Sequence, residues 1–156
     1  MRVFVLPRRI AEHYTRQTPW AHIAITDPAS RDLAPPRCPR LRERLSLHFM
    51  DVTSEDFERN PAFARFEPAL FNSDQAGQII AFLATHQNAE LDWVVSCEAG
   101  ISRSSAVANF ALDYFALAQG RFSPPRYQPN PHVIGLLRTT AKAQNRAPQR
   151  SKIPLL

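Results

Sequence analysis

Asp92-Trp93-Val94-Val95-Ser96-Cys97-Glu98-Ala99-Gly100-Ile101-Ser102-Arg103-Ser104 reads as strand, tight loop and helix. Trp93 to Val95 are apolar and β-prone, which suits a buried strand. Gly100 admits backbone angles that other residues resist. From Arg103 onward, Ala106, Val107, Phe110, Ala111, Tyr114 and Leu117 recur at helical spacing. A loop that curls from a strand end into a helix start turns several backbone N–H groups inward. Such a concave ring binds a tetrahedral anion, and the helix dipole adds positive potential. Arg103 brings a planar fork able to hold two anion oxygens. Cys97, at the base of the ring, is then in line for attack on phosphorus, and the field that holds the anion also favours a thiolate nucleophile.

The string Cys97-Glu98-Ala99-Gly100-Ile101-Ser102-Arg103-Ser104 resembles the active-site loop of the cysteine-dependent protein tyrosine phosphatases, above all their compact dual-specificity branch of bacterial type. That loop commonly reads His-Cys-x-x-Gly-x-Ser-Arg-Ser. The likeness covers residues 91–120 closely and extends loosely from about 45 to 140. It implies Cys97 as nucleophile, Arg103 as phosphate clamp, residues 98–103 as the phosphate loop, Ser102 as a brace of the loop backbone and Ser104 as hydrogen-bond partner of the departing sulfur. Ser96 departs from the pattern: it stands where the family has a histidine that helps set loop geometry and thiolate acidity. The resemblance also implies an Asp on a loop after an upstream strand, serving as acid and then as base. Leu47-His48-Phe49-Met50-Asp51 fits, so Asp51 is the expected acid, with Asp56 next and Asp74 and Glu67 behind it. The lesser alternative for Asp51 is a cap of the segment after the strand. Pro129-Asn130 matches a family Pro-Asn in which the Asn braces the phosphate loop, and helix capping is an equal reading. Glu98, Ala99 and Ile101 put no lysine or arginine in the loop, which disfavours phosphoinositide substrates; an Asp upstream of the Cys disfavours the low-molecular-weight phosphatases and arsenate reductases.

A chain of 156 residues suits one domain with a sizeable core. The expectation is a phosphatase domain over residues 1–145 and a basic, frayed tail over 146–156. No run is long enough to span a membrane, and the short apolar start stops at Pro7 before Arg8-Arg9, so a cytoplasmic protein is expected. Cys38 and Cys97 make no disulfide framework and no zinc spacing, and Cys38 reads as an incidental loop thiol. His22 reads as a strand residue rather than a ligand. The net charge of +5 suits anionic, phosphorylated substrates; the basic residues are scattered and no nucleic-acid motif appears.

In chain order the pattern gives a strand over 2–6, a short helix over 8–14 and a strand over 21–26. A Pro-rich loop over 27–40 follows, then an alternating strand within 42–49. Residues 51–72 are irregular, with room for a short helix; Ser73 reads as N-cap of a helix to about His86. Gly120 reads as C-cap of the helix after Cys97, and Asn130-Pro131 opens the last helix. This order implies a single three-layer α/β domain with a central, mostly parallel sheet of four to five strands flanked by helices, tyrosine-phosphatase-like. Ligands of such sheets bind beyond the carboxyl ends of strands, where Cys97 lies.

The expected activity is a metal- and cofactor-independent protein phosphatase acting on phosphotyrosine, with phosphoserine and phosphothreonine as further substrates, through a phosphocysteine intermediate. Phosphate and vanadate are the expected small ligands; no membrane or nucleic-acid partner is expected. Two other classes fit parts of the pattern. One is a phosphate-binding module that has lost catalysis, suggested by Ser96; the other is an RNA 5′-phosphatase of the same fold, suggested by the basic balance but lacking a stacking platform.

Overall fold

A computed structural model describes residues 1–32, 34–60, 62 and 69–146. Its elements are β1 (Val3–Pro7), α1 (Arg8–Ala11), β2 (Trp20–Thr26), β3 (Leu41–His48), α2 (Ser54–Arg59), α3 (Ser73–Thr85), β4 (Asp92–Cys97), α4 (Arg103–Tyr114) and α5 (Pro131–Arg146). The four strands form one parallel sheet in the order β1-β4-β2-β3.

The pleat sorts side chains onto two faces. Val3 and Val5, Ala21, Ile23 and Ile25, Leu47, Trp93 and Val95 point to one face. There they meet the apolar stripes of α3 (Ala76, Ile79, Ile80, Leu83), α4 (Ala106, Val107, Phe110, Ala111) and α5 (Val133, Leu137). Removing a large apolar side chain from such a core costs about 2–5 kcal/mol. The opposite face carries Leu6 and Ala24, which form a small cluster with Ala11 of α1. The three layers are thus unequal, three long helices on one side and a four-residue helix with irregular chain on the other.

Several expected boundaries move, each for a local reason. The first helix stops at Ala11, because His13 and Tyr14 donate three residues back, to Ile10 and Ala11 carbonyls, as tight turns. Asn72 rather than Ser73 caps α3: its side chain accepts from Gln75 N–H at 3.0 Å and Gln75 Oε1 accepts from Asn72 N–H at 3.2 Å. Helix α4 ends at Tyr114, and Gly120 does not cap it. Ala116 takes the left-handed conformation, φ 50°, while Leu117 N–H reaches Leu112 O and Ala116 N–H reaches Asp113 O. That is a Schellman stop with alanine where glycine is usual.

Asn130 and Pro131 open α5 as expected: Asn130 Oδ1 accepts from the N–H groups of His132 (3.0 Å) and Val133 (3.2 Å). The outer edge of β1 is closed by one side chain. Gln119 Oε1 accepts from Val3 N–H at 2.9 Å, and Gln119 Nε2 donates to Val3 O at 2.6 Å. Among the described residues no helix is long and apolar enough to cross a membrane. The expected tail and Glu67 lie outside the described residues, Arg146 excepted as the last residue of α5.

Candidate active site

The carboxyl ends of all four strands meet at one place, and each delivers a charged or nucleophilic residue: Arg8 after β1, Asp27 after β2, Asp51 after β3 and Cys97 at the end of β4. Cys97 is buried, 2% exposed, and its Sγ lies 3.0 Å from Ser104 Oγ in the first turn of α4. Gly100 has φ +68°, and a Cβ there would stand 2.5 Å from Pro7 N and 2.7 Å from Leu6 C. Glycine is therefore needed twice over, for the left-handed turn and for the close pass of the loop over the end of β1.

The loop is pinned from its flanks. Arg8 N–H donates to Glu98 O at 3.2 Å, Gln128 N–H to Ile101 O at 3.2 Å and Asn130 N–H to Ser102 O at 3.3 Å. Arg8 also pairs with the Glu98 carboxylate at 3.4 Å. Ser105 Oγ donates to the carbonyls of Ile101 and Ser102, the latter at 2.9 Å. The N–H groups of residues 98–102 donate to no other group among the described residues. Five adjacent donors without acceptors among the described residues, just before a twelve-residue helix, are the kind of donor set that binds an anion.

Arg103 is 4% exposed and is held from two sides. Its NH1 donates to Asp27 Oδ1 and to the Phe49 carbonyl, each at 2.6 Å. Its Nε is buried and makes no hydrogen bond among the described residues, with the Asp51 carboxylate paired at the longer distance of 3.9 Å. One arm of the guanidinium is thus anchored, and a donor beside it is left open for a ligand oxygen.

Asp51 is docked on the loop. Its Oδ1 accepts from Ser102 Oγ at 2.7 Å and from Asn130 Nδ2 at 2.9 Å, leaving Oδ2 on the side of Arg103. Ser102, the expected brace of the loop backbone, gives its side chain to Asp51 and its carbonyl to the N–H of Asn130. Asn130 caps α5 with its side-chain oxygen, one of the two readings of the sequence, and gives its side-chain nitrogen to Asp51, which neither reading included; its backbone N–H is what reaches the loop, at Ser102 O. Asp56 is engaged elsewhere. Its Oδ2 accepts from Thr53 N–H (2.7 Å) and Thr53 Oγ (2.8 Å) in the capping box of α2, which holds its carboxyl below the usual range. Asp74 sits in the first turn of α3, spaced as a dipole partner. Ser96 hydrogen-bonds His22 across the sheet at 2.9 Å.

Sequence reasoning missed Asp27 and the Phe49 carbonyl. Asp27 had a usable signal: like Asp51, it follows the end of a parallel strand, where ligand groups of such sheets gather. The carbonyl had none, since any residue could supply it. Among the described residues no group of three or more His, Cys, Asp or Glu side chains is placed to hold a metal ion.

Cys38 lies at the other end of the molecule. It stands beside the starts of β2 and β3, where Leu41 N–H donates to Cys38 O and Trp20 N–H to Arg40 O. Ser96 pairs with Ala24, four residues further along β2 than Trp20. That is about 13 Å of strand, against a limit of about 7 Å between the Cα atoms of a disulfide.

No protein-family model matches the chain, and no curated protein matches it. Solved structures do. Human DUSP28 aligns with 92% of this chain and 93% of its own, at TM-score 0.55 and 20% identity. The human tyrosine phosphatase-like serine/threonine/tyrosine-interacting protein aligns with 92% and 93%, at TM-score 0.57 and 18% identity. A mouse putative dual specificity phosphatase, solved in complex with zinc tungstate, aligns with 92% and 84%, at TM-score 0.54 and 18% identity. The fold is that of the dual-specificity phosphatases.

Proposed function

We propose that this dual-specificity-phosphatase-like fold carries a working phosphatase that hydrolyses phosphate monoesters on proteins, phosphotyrosine foremost and phosphoserine or phosphothreonine besides. The observation that carries the reading is the loop itself: five backbone donors with no acceptor among the described residues and an Arg103 Nε without a hydrogen bond, all in the stretch that begins at Cys97. A tetrahedral dianion satisfies all of them at once.

In the first step Cys97 Sγ bonds to phosphorus and the bond from phosphorus to the leaving oxygen breaks, with Asp51 giving that oxygen its proton. In the second, Asp51 takes a proton from water as the water oxygen bonds to phosphorus. The S–P bond breaks, and Ser104 Oγ, 3.0 Å from the sulfur, hydrogen-bonds the departing thiolate. Arg103 and the loop N–H groups neutralise the equatorial oxygens throughout. Asp27 and the Phe49 carbonyl keep Arg103 in place between turnovers. A reducing, cytoplasmic setting suits a thiolate nucleophile.

A second reading, a phosphate-binding module without turnover, is favoured by Ser96 alone. Hydrolysis of para-nitrophenyl phosphate in the presence of a chelator separates the two. The expected result is turnover in the wild type, loss with Cys97→Ser, a fall of about 10²–10⁴-fold with Asp51→Asn, and phosphate on Cys97 when the reaction is quenched and the peptide weighed. Tungstate binding without turnover would replace the enzyme by the module. A phosphotyrosine peptide tested against a 5′-triphosphate RNA settles the substrate class.

A further inference from the structure

His22 lies in the middle of β2 with no exposed surface, on the face of the sheet covered by α1 and its neighbouring loops. A leucine would fill such a place without cost. The ring instead spends one nitrogen on Ser96, Nε2 to Oγ at 2.9 Å, and leaves Nδ1 without a hydrogen-bond partner among the described residues. Burial, with Arg44 opposite on β3 adding to it, keeps the imidazole neutral. A neutral ring has one N–H. Placing it on Nδ1 would bury a donor with no acceptor, a rarer defect in proteins than an unfilled acceptor. The proton therefore belongs on Nε2, which donates to Ser96 Oγ and leaves the serine's own hydroxyl proton free for another acceptor.

Ser96 is the point where β4 parts from β2, while Cys97 beyond it is still paired to β1 through Pro7. It is the last β4 residue paired to β2, through Ala24, and the next residue is Cys97. We infer that His22 is a positioning residue for the reaction: through its hydrogen bond to Ser96 it ties β4 to β2 at their last shared pair, one residue before Cys97, and so fixes where the Cys97 sulfur sits beneath the phosphate loop. For turnover the inference rests on the phosphatase reading; for the reactivity of the sulfur it does not.

The test uses the full chain with Cys38→Ser, so that iodoacetamide reports on Cys97 alone. His22→Phe keeps the ring volume and removes the donor, Ser96→Ala removes the acceptor, and His22→Gln restores an N–H at about the reach of Nε2. Two readouts are taken, the rate of Cys97 alkylation at pH 6 and the kcat and KM for para-nitrophenyl phosphate. His22→Phe should slow both alkylation and kcat about tenfold, the kinetic equivalent of one hydrogen bond, with KM unchanged within about twofold. His22→Gln should recover most of both, and the double variant His22→Phe/Ser96→Ala should be no worse than either single change. If His22→Phe does not fold, Ser96→Ala carries the same test by removing one hydroxyl. Alkylation and kcat within about twofold of the parent, or effects that multiply in the double variant, would overturn the inference. A parent that alkylates, responds to His22→Phe, yet turns nothing over would support the positioning role while sinking the phosphatase reading.

Discussion

Stability of this protein should fall through the mildly acidic range because of a single buried ring. The His22 pKa is lowered to about 3 from an ordinary 6.5, first by burial and then by the charge of Arg44. In the unfolded chain the same ring takes a proton below about pH 6.5. The unfolded state thus binds more protons than the folded one between those values, and stability declines as pH falls. The contribution is fully present above pH 6.5 and is lost at about 1.4 kcal/mol per pH unit down to about pH 3. Between pH 7 and 4.5 the loss comes to about 2.5 kcal/mol, or about 5–10 °C in Tm for a domain of this size. Urea unfolding followed by tryptophan fluorescence is well placed to read it, since Trp20 and Trp93 are both fully buried. His22→Gln, which cannot titrate, is the control: its stability should stay nearly level to pH 4.5, apart from the carboxylates common to both proteins. If wild type and His22→Gln lose stability in parallel from pH 7 to 4.5, the ring is charged in the folded state and the reasoning is wrong.

Three further outcomes are expected. Asp27→Ala should free the anchored arm of Arg103 and lower kcat for para-nitrophenyl phosphate by about 10–100-fold, the equivalent of one charge-assisted hydrogen bond; an unchanged kcat would leave Phe49 O as sufficient anchor. Gly100→Ala combines left-handed strain of about 1–2 kcal/mol with a clash of about 1–3 kcal/mol against the Pro7 backbone. Its urea midpoint should show a loss of about 2–5 kcal/mol, and a loss under about 1 kcal/mol would mean the loop has room to move off β1. Ala116→Gly should stabilise by about 1 kcal/mol and raise Tm by about 2–4 °C, since glycine occupies that left-handed position freely; a calorimetric scan showing no rise would place the strain elsewhere.

What the chain announces and what it conceals follow from the range of the forces involved. The strand-loop-helix around Cys97 was legible because its signals are local: an apolar β-prone run, a glycine and a helical stripe lie within two dozen residues. Asp51 and Asn130 could be placed because each stands at a strand end or helix start. That both hold one another through the same carboxylate oxygen is a contact across 79 residues, outside the reach of any pattern. Asp27 looked like a strand-breaking Asp-Pro, and its bond to Arg103 spans 76 residues. His22 lies in a strand, as the apolar run around it indicated. Its tie to Ser96 appears only once β2 and β4, far apart in the chain, become neighbours in the sheet. Boundaries drifted where side chains overrode periodicity, as when Asn72 took the cap from Ser73.

The placement of the two cysteines at opposite poles of the sheet bears on how such a protein would age in an oxidising cell. A sulfenic acid formed on Cys97 is made safe when a nearby thiol condenses with it and leaves a reducible bond. Here the chain's remaining thiol stands beside the starts of β2 and β3, a strand's length from the loop. No partner within the molecule can cap the oxidised sulfur while the fold is intact. Rescue must come from outside, from glutathione or another small thiol small enough to enter the loop, and without it oxidation runs on to the irreversible acids. Under the phosphatase reading, a ligand in the loop, inorganic phosphate included, is what would keep peroxide from Cys97.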